Sequence, residues 1–193
     1  MSQQPFAHLV IPKEVFARAE LITRDGYRLT SDDRLDIMQL PAVFEWTLGS
    51  QNFDAIADLY TDDIIIDHAL AFAQGKAAAL DLARSDKIPT YGLRHQFSNH
   101  VVFIDQNGNP ACISYLNAPQ MVSEQPTTAN LPAIFAHLIL VDVVRKENGK
   151  WRFAHRIFDQ LRIADYAGLD EATRQQIART QAERAASNGR LSA

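Results

Sequence analysis

The stretch "AIFAHLILVDVVRKENGKWRFAHRIFDQLRI", residues 133–163, constrains the fold most. Two long runs rich in Val, Ile, Leu and Phe flank the turn "ENGK", so they read as the strands of one extended antiparallel hairpin. A second hairpin precedes it, with strands at about 94–105 and 111–122 joined through "QNGN". Asn107-Gly108 favours a tight turn, because both central residues of a type I′ turn need positive φ. The polar loop "SEQPTTANLP" links the hairpins into a meander.

Upstream the apolar spacing becomes helical. In "TSDDRLDIMQLPAVFEWTLGSQNFD", Ile37, Leu40, Phe44 and Leu48 mark a core face. Thr30 or Ser31 caps this helix, Asp32 and Asp33 suit its positive end, and Gly49 and Ser50 end it. Pro41 should kink it or begin a second helix. "FDAIADLYTDD" reads as a second helix, "IIIDHA" as a short strand, and "KAAALDLARSDK" as a third helix before Pro89 and Gly92. Residues 1–30 form an N-terminal extension, in which "PKEVFARAELI" makes a short helix. Residues 166–193 form a polar helical tail, expected to fray because Ile177 alone offers little to bury. Residues 31–165 then form an α+β domain. A cone-shaped, curved antiparallel sheet carries three helices on its concave face, and a pocket lies between them.

Composition narrows the function classes. With 47% hydrophobic and 22% charged residues, the chain has the balance of an ordinary globular protein. A net charge of -4 argues against nucleic acid or an anionic membrane as partner. Cys112 is the single cysteine, which excludes an internal disulfide and a cysteine metal cluster; its apolar context suits an inert thiol. No apolar run reaches the ~18 residues of a membrane span, and the start lacks a secretory signal, so a cytoplasmic location is expected. HxH and HExxH spacings, a glycine-rich phosphate loop and a nucleophile elbow are all missing, so neither a metal nor a cofactor is expected.

Three stretches carry a family resemblance: "NFDAIADLYTDDIIIDH", "LRHQFSNHVV" and "LVDVVRKENGKWRFAHR". In order and spacing they resemble the nuclear transport factor 2-like superfamily, in its SnoaL-like and scytalone-dehydratase-like branch, whose fold is a cystatin-like α+β roll. The resemblance implies a cofactor-independent lyase (dehydratase-like) or isomerase acting on a small, mostly apolar, oxygenated compound. The alternative is a non-catalytic small-molecule-binding or assembly module of the same fold. Dehydratase-like members pair a pocket histidine with an aspartate near the end of the first long helix. That position falls on Gly49 here, and a second polar pocket position falls on Leu140.

The resemblance selects His95 as the pocket histidine and general base, a task that imidazole suits near neutral pH. On a strand only even offsets share a face, so Phe97 and Asn99 should line the pocket with His95. His100, five residues on, should face outward unless a bulge shifts the register. By resemblance His68 orients water or substrate, while Asp67 faces away. A two-residue Asn148-Gly149 loop would set Asp142 opposite His155. A three-residue loop with Gly149 in a bulge would set it opposite Ala154, one diagonal step from Arg156. Relatives favour the second register, which predicts a partly buried Asp142–Arg156 pair that braces the hairpin or polarises substrate. Tyr115 is a further candidate donor to a substrate oxygen, and Phe44, Leu48 and Leu140 are expected to supply apolar pocket surface. His137 and His155 read as sheet residues satisfied locally. A homodimer is expected by resemblance, and because Val102 and Ile104 would otherwise be exposed on an open sheet face.

Overall fold

The computed structural model describes residues 20–85, 92–120, 133–165 and 169–186, together with Val15. Helix α1 spans Ser31–Gly49 and α2 Phe53–Leu59. Strands β1 (Tyr60–His68) and β2 (Ala71–Gln74) form a short hairpin, followed by α3 (Lys76–Arg84). Then come β3 (Gln96–Ile104), β4 (Pro110–Pro119), β5 (Ile134–Glu147), β6 (Lys150–Ile163) and α4 (Glu171–Ala186). The six strands make one sheet in the order β2-β1-β6-β5-β4-β3. It is antiparallel except where β1 runs parallel to β6. "IIIDHA" is therefore part of a longer strand, and β2 continues the sheet beyond it.

Alternation sorts the sheet into two faces. Val102, Ile104, Cys112, Val144 and Phe153 share a buried cluster with Ile37, Leu40 and Ile56 of the helices. Phe103, Ala111, Ile113, Val141, Val143 and Ile157 pack on the other face, together with Val15. Val102 and Ile104 thus lie beneath the helices, 7% and 0% exposed, and give no reason for two subunits to pair. A third cluster, with Leu93, Leu116, Ala118, Leu138 and Leu161, fills the other end of the concave face.

α1 runs unbroken through Pro41. Thr30 is its N-cap, and Asp33 completes a capping box by accepting from the Thr30 backbone N–H while its own N–H donates to Thr30 Oγ1. α4 is docked on the domain: Ile177 packs against the third cluster, and Gln176 Nε2 and Gln181 Nε2 donate to the carbonyls of Leu70 and Leu161.

Both hairpin turns differ from expectation. At 105–109, Gly108 has φ +81°, whereas Asn107 is not among the residues with positive φ. Gly108 N–H donates to the Asp105 carbonyl and Asp105 N–H to the Asn109 carbonyl, a three-residue loop with a left-handed glycine bulge. The Asp105 carboxylate holds this loop by accepting from the N–H groups of Asn107 and Asn109. Glycine is needed twice over, because a Cβ at 108 would sit 2.5 Å from Arg24 Cβ. At 147–150 the reverse holds. Asn148 and Gly149 have φ of 51° and 78°, and Glu147 pairs with Lys150, as in a two-residue type I′ turn.

Candidate active site

That tight turn would set Asp142 opposite His155. The register shifts between Val143 and Val144, however, leaving Ala154 as an extra residue on β6, so Asp142 pairs directly with Arg156. The pair forms through a bulge and not through the three-residue loop. Arg156 Nε donates to Asp142 Oδ1 at 2.7 Å and Nη2 to Oδ2 at 3.4 Å, with both residues 1% exposed. The guanidinium carbon lies 4.2 Å from the Phe44 ring centroid and 4.1 Å from that of Phe153, a cation held between aromatic faces. Burial pushes the Asp142 carboxyl up against the opposing pull of Arg156. Burial likewise raises the Tyr60 hydroxyl to about 12 and the Cys112 thiol to about 12, so neither is an acid or nucleophile at neutral pH.

A cavity of about 110 Å³ lies between the helices and the concave face. Phe44 and Leu48 of α1 line it as expected, with Leu93, Leu116, Leu138, Phe158 and Leu161. His68, His95 and Arg156 also border it, so three of the five candidate catalytic residues converge on one hollow. His68 Nδ1 accepts from the Leu70 N–H at 3.1 Å, which leaves the ring proton on Nε2. The ring packs edge-on against Phe158, with centroids 4.7 Å apart.

His95 immediately precedes β3 and is held from α1. Its Nδ1 lies 2.6 Å from Glu45 Oε2, and its backbone N–H donates to Glu45 Oε1 at 3.0 Å. The two side chains are 17% and 12% exposed. Sequence reasoning missed Glu45. The carboxylate absent at Gly49 is supplied from four residues earlier, one helical turn back and near the same face.

The remaining candidates fall elsewhere. Tyr115 lies on β4 between Ser114 and Leu116, so alternation turns it to the far face, where it packs against the outer cluster, 6.0 Å from the His137 ring. Asn99 is exposed and adopts φ +54° at a register shift between Ser98 and Val101. It is the bulge residue, not pocket lining. Because of that extra residue His100 does not face outward: with Val102 and Ile104 it belongs to the inner face. His100 and His95 border one groove beside the cavity, and burial pushes the His100 ring down, against the pull of Asp142. Phe97 pairs with Leu116 and lines that groove, not the cavity. Leu140 is wholly buried behind the lining and does not border the cavity. Asp142 reaches the hollow only through Arg156.

Known proteins agree with this architecture. A protein of unknown function with a cystatin-like fold from Nostoc punctiforme is 26% identical, with a TM-score of 0.56 over 67% of this chain and 92% of that one. A putative aromatic ring hydroxylase from Novosphingobium aromaticivorans is 16% identical, with a TM-score of 0.56 over 70% and 96%. A putative scytalone dehydratase from the same organism is 20% identical, with a TM-score of 0.53 over 72% and 96%. No curated protein matches the chain. No helix among the described residues is long and apolar enough to cross a membrane. The model of the SnoaL-like domain matches residues 29–157, a span that holds the cavity's helices and nearly all of its sheet, and the chain belongs to that family within the nuclear transport factor 2-like superfamily.

Proposed function

We propose that this chain is a cofactor-independent lyase or isomerase that moves a proton on a small, mostly apolar, oxygenated compound, with Glu45 and His95 as its acid/base pair. The observation that carries this reading is the 2.6 Å contact between His95 Nδ1 and Glu45 Oε2 at the edge of an apolar cavity. A carboxylate on Nδ1 holds the ring proton there, fixes the tautomer and leaves Nε2 as the basic atom. It also stabilises the imidazolium that forms when Nε2 takes a proton from carbon.

The displaced electron pair moves onto a neighbouring carbonyl oxygen of the substrate. His68 Nε2–H and the Arg156 guanidinium border the same hollow and are the donors suited to that developing negative charge. Return of the proton to another carbon isomerises the compound. Departure of a β-hydroxyl, protonated by the imidazolium to leave as water, dehydrates it. The apolar walls favour both outcomes, because charge–dipole interactions strengthen where water is excluded.

The test needs no net turnover. Cyclic ketones such as cyclohexanone are incubated in deuterium oxide, and exchange at the carbon beside the carbonyl is followed by proton NMR. Exchange catalysed by the protein, and reduced ~10²- to 10⁴-fold in His95→Ala and Glu45→Gln, supports the reading. Catalysed exchange at full rate in His95→Ala overturns it. Binding with no exchange over a broad panel of such ketones favours the non-catalytic binding module, a reading supported by the mostly apolar lining.

A further inference from the structure

The site has a second compartment. Beside the cavity runs a groove of about 430 Å³ between the last turns of α1 and the segment leading into β3. Among the described residues, His95 alone borders both hollows. Beyond His68, His95, Tyr60 and Arg156 the cavity is walled by aliphatic and phenyl side chains, whereas the groove adds Glu45, Trp46, Arg94, Gln96 and His100.

Size and charge then define what would fill the two together. An apolar cavity of about 150 Å³ takes up benzene, so a hollow of about 110 Å³ holds one small ring and little else. A larger substrate can extend past His95, which borders both hollows, into the groove. There Glu45 is committed to His95, and Arg94 is the guanidinium without a carboxylate partner among the described residues; its Nη1 donates to the Leu93 carbonyl at 3.2 Å. Guanidinium stays charged at every working pH and matches a carboxylate with two parallel N–H donors. Trp46, 78% exposed, adds a flat apolar wall to the same groove.

Building on the acid/base reading above, we propose that the substrate is a two-part molecule: one apolar ring seated in the cavity, and an arm ending in a carboxylate that pairs with Arg94 in the groove. His95 then stands at the carbon where ring and arm meet. A substrate held at both ends presents that carbon to the imidazole in one orientation, and such positioning can exceed the proton transfer itself in its effect on rate.

Calorimetric titration tests the proposal by binding alone, so its failure is distinct from failure of the acid/base reading. The probes are ω-phenylalkanoates from 3-phenylpropionate to 6-phenylhexanoate, each compared with the alcohol of the same length. The expected result is an optimum length at which the carboxylate binds at least tenfold more tightly than the alcohol, with quenching of Trp46 fluorescence that Trp46→Phe removes. Arg94→Gln should bring the ratio close to one. Equal affinity of acid and alcohol at every length overturns the proposal. So does a carboxylate preference that survives Arg94→Gln. A variant with a lower unfolding midpoint and an unchanged preference also overturns it, leaving Arg94 as a cation for the C-terminal end of α1, where its Nη1 lies 3.9 Å from the position of a Cβ on Gly49.

Discussion

Two carboxylates on α1, Asp33 fully buried and Glu45 half-buried, show how differently the same chemical group is held at the two ends of one helix. Asp33, in the first turn, accepts from Tyr27 Oη at 2.6 Å, Thr30 N at 2.9 Å and Thr30 Oγ1 at 2.8 Å on one oxygen. Its other oxygen accepts from Lys146 Nζ at 2.8 Å and Trp151 Nε1 at 3.0 Å. Burial opposes ionisation, but donors from Lys146, Tyr27 and Thr30 outweigh it and hold the Asp33 carboxyl well below the usual range. Glu45, farther along, accepts among the described residues only from His95, through the backbone N–H and the ring. A carboxylate with every lone pair engaged ties α1 to the closing hairpin and has nothing left for a substrate. One bound to a single imidazole can share in a proton's movement.

A third carboxylate, Asp142, is the most sensitive of all to loss of its partner. Arg156→Leu leaves Asp142 buried without its partner and should lower unfolding free energy by about 3–5 kcal/mol in urea titration. The double variant Asp142→Leu with Arg156→Leu should recover much of that loss, because no buried charge is then stranded. An unchanged single variant would show that the pair does not hold the hairpin to the core.

Asp33→Asn comes next. Loss of charge-assisted bonds from Lys146 and Trp151 should cost about 1.5–3 kcal/mol at neutral pH. The sign with pH follows from the lowered folded-state value. Asp33 stabilises fully above the unfolded aspartate range near ~3.9, and its contribution disappears as pH falls from there through the folded value. Urea midpoints measured from neutrality into acid should therefore converge for wild type and Asp33→Asn at the acid end.

Glu45→Gln should have the smallest effect on stability, about 0.5–1.5 kcal/mol, because the amide oxygen still accepts from the His95 backbone. Its effect on deuterium exchange should nevertheless be the ~10²- to 10⁴-fold of a lost acid/base partner. A variant equally damaged in both measurements would erase the distinction between the two ends of α1.

What the sequence revealed follows from how local each signal is. The apolar spacing of Ile37, Leu40, Phe44 and Leu48 and the Asn148-Gly149 turn depend on neighbours along the chain, and they located α1 and the closing hairpin. Tyr115 was misplaced because the loop at 105–109 hid which face β4 presents, a matter of one residue. Ala154 left no mark in the sequence, yet its bulge decides that Asp142 meets Arg156 and not His155. Glu45 could have been found by asking which residues share a helical face with Gly49, rather than which residue occupies that position.

The bulge at Asn99 carries a consequence for counting. β3 is an edge strand, so an additional residue can loop out there without disturbing any inner ladder. With that residue outside the pleat, the five-residue step from His95 to His100 behaves as four. Removing Asn99 should leave both imidazoles turned inward on a straight strand. Chains in which two such histidines stand four apart and chains in which they stand five apart can thus describe the same arrangement, and ring geometry rather than numerical spacing is the property to compare.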